Sequence, residues 1–271
     1  MEYVTVDGTE VPALGFGTAR MDEYDEQYRA VSAALEAGYR HIDTAQIYGS
    51  EGAVGDAIEE SDVAREELFL TTKLAEGNRE HEAVLESTEG SLDRLGSEYV
   101  DLLLIHSSND EVGHEETIGA MNELQEEGRV EHVGVSNFSV RQTAEAMELS
   151  ETPILTNQVK YNPYVSQADL LTHCIDEGVM LTAYSPLAVG DVVGDETLAS
   201  IGERYGKSAA QVALRWLIQQ PMVSTIPMSS QPEHVRENVD VFDFELADEE
   251  LREVFELQGG LPDDLADRLG V

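Results

Sequence analysis

The chain of 271 residues has a single cysteine, Cys174, and only three lysines among its sixteen basic residues. No apolar run approaches the ~18 residues that cross a bilayer. With one thiol no intrachain disulfide can form, so an oxidising compartment offers this fold nothing, and Cys174 is expected as a buried thiol on a helix. The N-terminal MEYVTVDGTE has neither a basic n-region nor an apolar h-region, which predicts a soluble, cytoplasmic protein. Positive charge is the largest scarcity. Against 16 Lys and Arg stand 55 Asp and Glu, a formal net charge of −39. No stretch supplies the basic patch that a phosphate backbone or an anionic membrane requires, so both are excluded as partners.

The acidic residues are spread along the chain, and hydrophobic residues make up 41% of it, which points to a folded protein rather than an acidic tail. A carboxylate surface with occasional guanidinium groups suits a salt-rich cytoplasm. At about 1 M salt the Debye length is roughly 3 Å, which screens the self-repulsion that otherwise opposes the compact state.

Val4 to Val11 alternates around Asp7-Gly8, the signal of a two-residue hairpin, and such a hairpin needs a barrel bottom or sheet to cover. Beyond it, short apolar runs alternate with amphipathic segments. The runs are 14–17, 40–43, 68–73, 99–106, 130–136, 154–159, 179–184 and 222–227, and a final acidic helix surrounds ADEELREVFEL. Eight strand-like runs, each followed by helix and joined by short loops, predict one closed (β/α)8 barrel over residues 1–271. GFGT at 15–18 lacks the third glycine of a dinucleotide-binding turn, which argues against a doubly wound sheet.

Barrel chemistry belongs at the C-terminal strand ends. Three successive runs finish there on an ionisable residue: Asp43, Lys73 and His106. Adjacent strands are about 4.8 Å apart, so these side chains can converge, and Tyr48 follows Asp43 closely enough to join them. A phenol with a free pKa near 10 is a poor acid at neutral pH. An ammonium 4 Å away favours its phenolate by on the order of 4 kcal/mol, about three pKa units at most. Lys73 is therefore expected to tune Tyr48, Asp43 to hold Lys73, and His106 to hydrogen-bond a substrate oxygen on which charge develops. That set suits protonation of an alkoxide. His41, on the same strand face as Asp43, reads as a core histidine. The competing reading, a hydrolase whose metal is held by His41, Asp43 and His106, leaves Tyr48 and Lys73 without a task; no metal is expected.

At these residues the chain resembles the aldo-keto reductases over essentially its full length. The matching motifs run in order: GFGT (15–18), HIDTAQIYGSE (41–51), TTK (71–73), LLLIH (102–106), GVSNF (134–138), NQVKYNP (157–163), AYSPL (183–187), IP-S (226–229) and RENVDVFDFEL (236–246). The resemblance implies reduction of aldehydes or ketones by hydride transfer from NADP or NAD, with a small carbonyl compound as substrate. It makes Tyr48 the general acid, completed by Asp43, Lys73 and His106. It puts Gly17, Thr18 and Asp43 beside the cofactor, Ser136, Asn137 and Gln158 at the carboxamide, and Tyr184 on the nicotinamide face. Ser185 and Leu187 fall at the pyrophosphate, Ser229 at the adenosine ribose, and Glu237 and Asn238 at the adenine. A nucleotide-binding regulatory subunit on the same barrel is the alternative, but binding alone needs neither Tyr48 nor His106. A monomer or weak oligomer is expected.

The chain departs from the family at four positions. Ala19 and Ser107 stand where many members carry aromatic residues that wall the substrate pocket, which predicts a wide, partly polar mouth suited to small polar aldehydes, dicarbonyls or sugar-derived carbonyls. Met228 and His234 replace the lysine and arginine with which NADPH-selective members grip the 2′-phosphate, so NADH is expected to be accepted comparably to NADPH or better. Arg236, two residues from His234 on a helix, faces another side.

Overall fold

The computed structural model describes residues 1–108 and 113–271. The hairpin forms where Asp7-Gly8 places it: β1 (Tyr3–Val6) pairs antiparallel with β2 (Thr9–Pro12). Both turn residues have positive φ, 47° at Asp7 and 86° at Gly8, as a turn that follows strand twist demands. Its inner face buries Val4, Val6 and Val11, and Thr9 contacts His132 at 3.4 Å.

Eight parallel strands follow: β3 (Phe16–Gly17), β4 (His41–Asp43), β5 (Phe69–Leu74), β6 (Val100–Ile105), β7 (Val130–Ser136), β8 (Ile154–Lys160), β9 (Met180–Tyr184) and β10 (Val223–Ile226). They are hydrogen-bonded in sequence order. Leu14 bridges Thr225 in parallel, and Gly15 N donates to Thr225 O at 2.8 Å, so the last strand meets the first. The protein is a (β/α)8 barrel with an N-terminal hairpin. β5 and β6 are buried at every residue, as strands covered on both faces must be.

The intervening helices are α1 (Tyr24–Ala37), α2 (Glu51–Glu59), α3 (His81–Leu95), α4 (His114–Glu126), α5 (Val140–Leu149), α6 (Ala168–Glu177), α7 (Glu196–Tyr205), α8 (Ala209–Ile218) and α9 (Pro232–Val239). The expected acidic helix is α10 (Asp248–Glu256). A further helix, α11 (Asp263–Leu269), occupies the C-terminal stretch, anchored by Leu265 and by an Arg268–Asp176 ion pair of 2.7 Å to α6. Cys174 is fully buried on α6, and burial pushes its thiol up to about 12.

Candidate active site

Strand register delivers the central charges. Asp43 is the last residue of β4 and Lys73 the penultimate residue of β5, and both are buried inside the barrel mouth. The Lys73 ammonium donates to Asp43 Oδ1 at 2.5 Å and to Thr44 O at 2.8 Å. The other carboxylate oxygen, Oδ2, accepts from Gln158 Nε2 at 2.8 Å. A buried ion pair is tolerated only when its remaining valences are met, and here three strands supply them. Asp43 is thereby committed on both oxygens, and His41 Nε2 faces Thr71 Oγ1 at 3.1 Å deeper in the barrel. Of the three ligands in the metal reading, Asp43 is thus engaged on both oxygens and His41 on one ring nitrogen.

Tyr48 stands on a short 3₁₀ turn, Gln46–Tyr48, between β4 and α2. Lys73 Nζ lies 5.1 Å from the centre of its ring. Tyr48 OH is 3.5 Å from His106 Nε2, and the two rings meet edge to face. The tuning expected from Lys73 is present but outweighed: burial raises the phenol, the ammonium opposes that to a smaller degree, and the net direction is upward. Burial, aided by Lys73, depresses His106 to about 4, so its imidazole is neutral at neutral pH.

These groups face a cleft of about 810 Å³ across the barrel mouth, within the range of cofactor sites. Tyr48, His106, Asp43, Gln158, Ser136 and Asn137 form one end. Asn137, held at φ 59°, donates from Nδ2 to His106 O at 3.0 Å and accepts at Oδ1 from Tyr184 OH at 3.0 Å. It thus ties the histidine to the aromatic wall. Ser136 Oγ donates to Gln158 O at 2.8 Å. Ser185 and Leu187 line the middle, and Ser229, Glu237 and Asn238 line the far end beside Met228 and His234. Gly17 also faces the cleft, and a Cβ there would approach Ile226 O to 3.0 Å.

Three of the singled-out residues are engaged away from the cleft surface. Thr18 does not line the cleft: fully buried, it donates to Asp43 O at 3.1 Å and meets Ser50 Oγ at 3.0 Å, so it supports β4 from behind. Lys73 likewise reaches the cleft only through its neighbours. Ser107 is not an open gap, because its hydroxyl donates to Glu76 Oε1 at 3.0 Å and the Arg79 guanidinium bonds both its hydroxyl and its carbonyl. The sequence reading also missed Arg20 and the Ala188–Gly194 turn, whose Val189 and Val193 side chains stand exposed on the cleft wall. Positive φ at Arg20, Ala188 and Val189, residues that ordinarily avoid it, shapes these segments, and Gly190 shares it at 101°.

The deciding arrangement is a tyrosine hydroxyl and a neutral histidine on one cleft wall, backed by a buried Lys–Asp pair at parallel strand ends. A family model described as the aldo/keto reductase family matches residues 13–258. The chain belongs to the aldo/keto reductase family. It is an oxidoreductase that reduces carbonyl groups with a nicotinamide cofactor. It is 39% identical over 264 residues to a glyoxal reductase of Bacillus subtilis, covering 96% of this chain and 95% of that protein. Among solved structures, a putative 2,5-diketo-D-gluconic acid reductase B superposes with a TM-score of 0.93 at 44% identity, covering 97% of each chain. A Bombyx mori aldo-keto reductase in complex with NADP superposes with a TM-score of 0.89 at 34% identity, covering 94% of this chain and 92% of that one.

Proposed function

We propose that this aldo/keto reductase reduces small polar aldehydes and dicarbonyls, with Tyr48 as the proton donor. The observation that carries the assignment is the 3.5 Å approach of Tyr48 OH to His106 Nε2 at the cleft wall, because a carbonyl oxygen between them meets an acid and a neutral hydrogen-bond donor together. The reduced nicotinamide, when bound, supplies a hydride to the carbonyl carbon. Tyr48 gives its proton to the oxygen, and the phenolate left behind faces the Lys73 ammonium. Asp43, held by Gln158, keeps that ammonium in place. His106, neutral at working pH, stabilises the developing alkoxide by one hydrogen bond.

The cleft fits an extended dinucleotide. Ser136, Asn137 and Gln158 would hold the carboxamide, Tyr184 the ring face, Ser185 and Leu187 the pyrophosphate, Ser229 the ribose, and Glu237 and Asn238 the adenine, with Gly17 leaving room alongside. Met228 and His234 line the adenosine end while Arg236 does not, so no lysine or arginine there grips a 2′-phosphate. NADH is then accepted comparably to NADPH or better. The small side chain of Ala19 on the cleft, together with relatives named for glyoxal and 2,5-diketo-D-gluconic acid reduction, supports the substrate class.

The −39 charge supports work in a salt-rich cytoplasm as a single-domain monomer or weak oligomer, with an unfolding midpoint that rises with KCl. Initial rates over a carbonyl panel, with each cofactor in molar KCl, test the reading. Glyoxal and similar small dicarbonyls should give the highest kcat/KM, and a uniform preference for bulky aromatic ketones overturns it.

A further inference from the structure

Glu51 is the first residue of α2, three residues after Tyr48, and its carboxylate is 2% exposed. Three donors from two other elements converge on it. Thr72 Oγ1 of β5 donates to Oε1 at 2.6 Å, and Arg94 of α3 donates to Oε2 from Nε at 2.8 Å and from Nη2 at 2.6 Å. Thr72 precedes Lys73 in the chain. One buried carboxylate therefore ties the segment carrying the proton donor to the strand carrying the ammonium. The segment has neutral ties as well: Gln46 Oε1 accepts from Ala75 N at 2.8 Å and from Asn78 Nδ2 at 2.9 Å, and Ser50 Oγ meets Thr44 Oγ1 at 2.8 Å. Only Glu51 adds a charge-assisted fork, which is stiffer and directional.

We infer that Glu51, clamped by Arg94 and Thr72, is a positioning residue that sets the spacing of Tyr48 from Lys73. The inference rests on Tyr48 as the proton donor. The charged and titratable groups acting on Tyr48 are Lys73 from β5, Asp43 from β4 and Tyr184 at the end of β9, and His106 after β6 faces its hydroxyl at 3.5 Å. Of these, Lys73 alone is a cation and alone lowers the phenol, and its effect weakens with distance. Loosening the clamp should therefore lower kcat for reduction and also move the alkaline limb of its pH profile upward, since a phenol farther from the ammonium keeps its proton to higher pH.

The test is the kcat–pH profile of glyoxal reduction with NADPH in Glu51→Gln, Arg94→Gln and Thr72→Val, with NADPH affinity measured on the same samples. Glu51→Gln should lose about 10- to 100-fold in kcat. Its alkaline limb should rise by about one pH unit while NADPH affinity stays unchanged. Arg94→Gln and Thr72→Val should shift the limb in the same direction by less, and they decide the matter if Glu51→Gln does not fold. A limb that stays at its wild-type pH in the variants that fold overturns the inference, because a purely structural role reduces the active fraction without moving a pKa. If Tyr48→Phe is inactive and the limb does not move, the clamp alone fails; if Tyr48→Phe remains active, the proton-donor assignment fails first.

Discussion

The two ends of the cleft are built in opposite ways. At the barrel mouth Asp43, Lys73 and Gln158 are buried and joined by bonds of 2.5 and 2.8 Å from three strands. At the proposed adenosine end Ser229 and His234 lie on a loop and the first turns of α9, and the Ser229 hydroxyl is engaged only locally, accepting from Gln231 N at 3.1 Å and reaching Gln231 O at 3.5 Å. The first end is preorganised and intolerant, since every group there completes another's valence. The second is an adjustable surface on which side chains can change without disturbing the core. Under the proposed function, reaction type is set where the strands end, and cofactor preference where the last loop and helix begin.

The largest effect should come from the mouth. Tyr48→Phe removes the hydroxyl and keeps the ring, so kcat should fall by about 10²- to 10⁴-fold while NADPH affinity holds. Stopped-flow reduction and cofactor fluorescence titration measure the two quantities. Lys73→Met should show the cost of breaking a closed network. Asp43 is left buried without its cation, and unfolding free energy should drop by about 3–5 kcal/mol in denaturant titrations, together with activity. If Lys73→Met is as stable as wild type, the mouth is not the interlocked unit described.

Much of that mouth was legible in the sequence, and the reason is physical. Parallel strands buried on both faces are written as largely apolar runs, as VDLLLI of β6 is, and an ionisable group ending such a run, here His106, stands out at once. What escaped were relations between distant residues. Glu51 and Arg94 are 43 positions apart, and Arg79 reaches Ser107 across 28. No spacing rule connects them. The partners of the Thr18 hydroxyl were not legible either, because a motif identifies a position on the rim but not which way a hydroxyl turns. The Ser185 to Gly190 segment was read only as motif, because left-handed backbone at Ser185, Ala188 and Val189 uses residues that ordinarily avoid it. α11 went unread because it is a short helix beyond the last repeat of the barrel pattern.

The adjustable end should respond by a smaller amount and in one parameter. Met228→Lys with His234→Arg restores two charge-assisted contacts to a 2′-phosphate, each worth about 1.5–3 kcal/mol at most. The ratio of NADH to NADPH dissociation constants should then move roughly 10- to 100-fold toward NADPH, with kcat at saturating cofactor unchanged. A wild-type preference for NADPH already above tenfold in molar KCl contradicts the reading of Met228 and His234.

A separate effect concerns acid. His41 and His106 are depressed from 6.5 to about 4, mainly by burial. Their contribution to stability is complete above pH 6.5 and is lost as pH falls toward 4, because in that window the unfolded chain binds protons that the folded one refuses. Molar KCl screens the carboxylate repulsion that acidification would otherwise relieve. Under that condition the unfolding midpoint should decline as pH falls through this window, and less steeply in His41→Gln. Parallel curves for the two proteins contradict the assignment.

The division of labour itself is tested most directly by combining Tyr48→Phe with Met228→Lys/His234→Arg and measuring kcat and both cofactor dissociation constants in all four proteins. Independence is expected: the combined protein shows the kcat loss of one parent and the cofactor shift of the other, each within about twofold, as separated sites do. A coupling larger than tenfold, with cofactor preference depending on the residue at position 48, would contradict it.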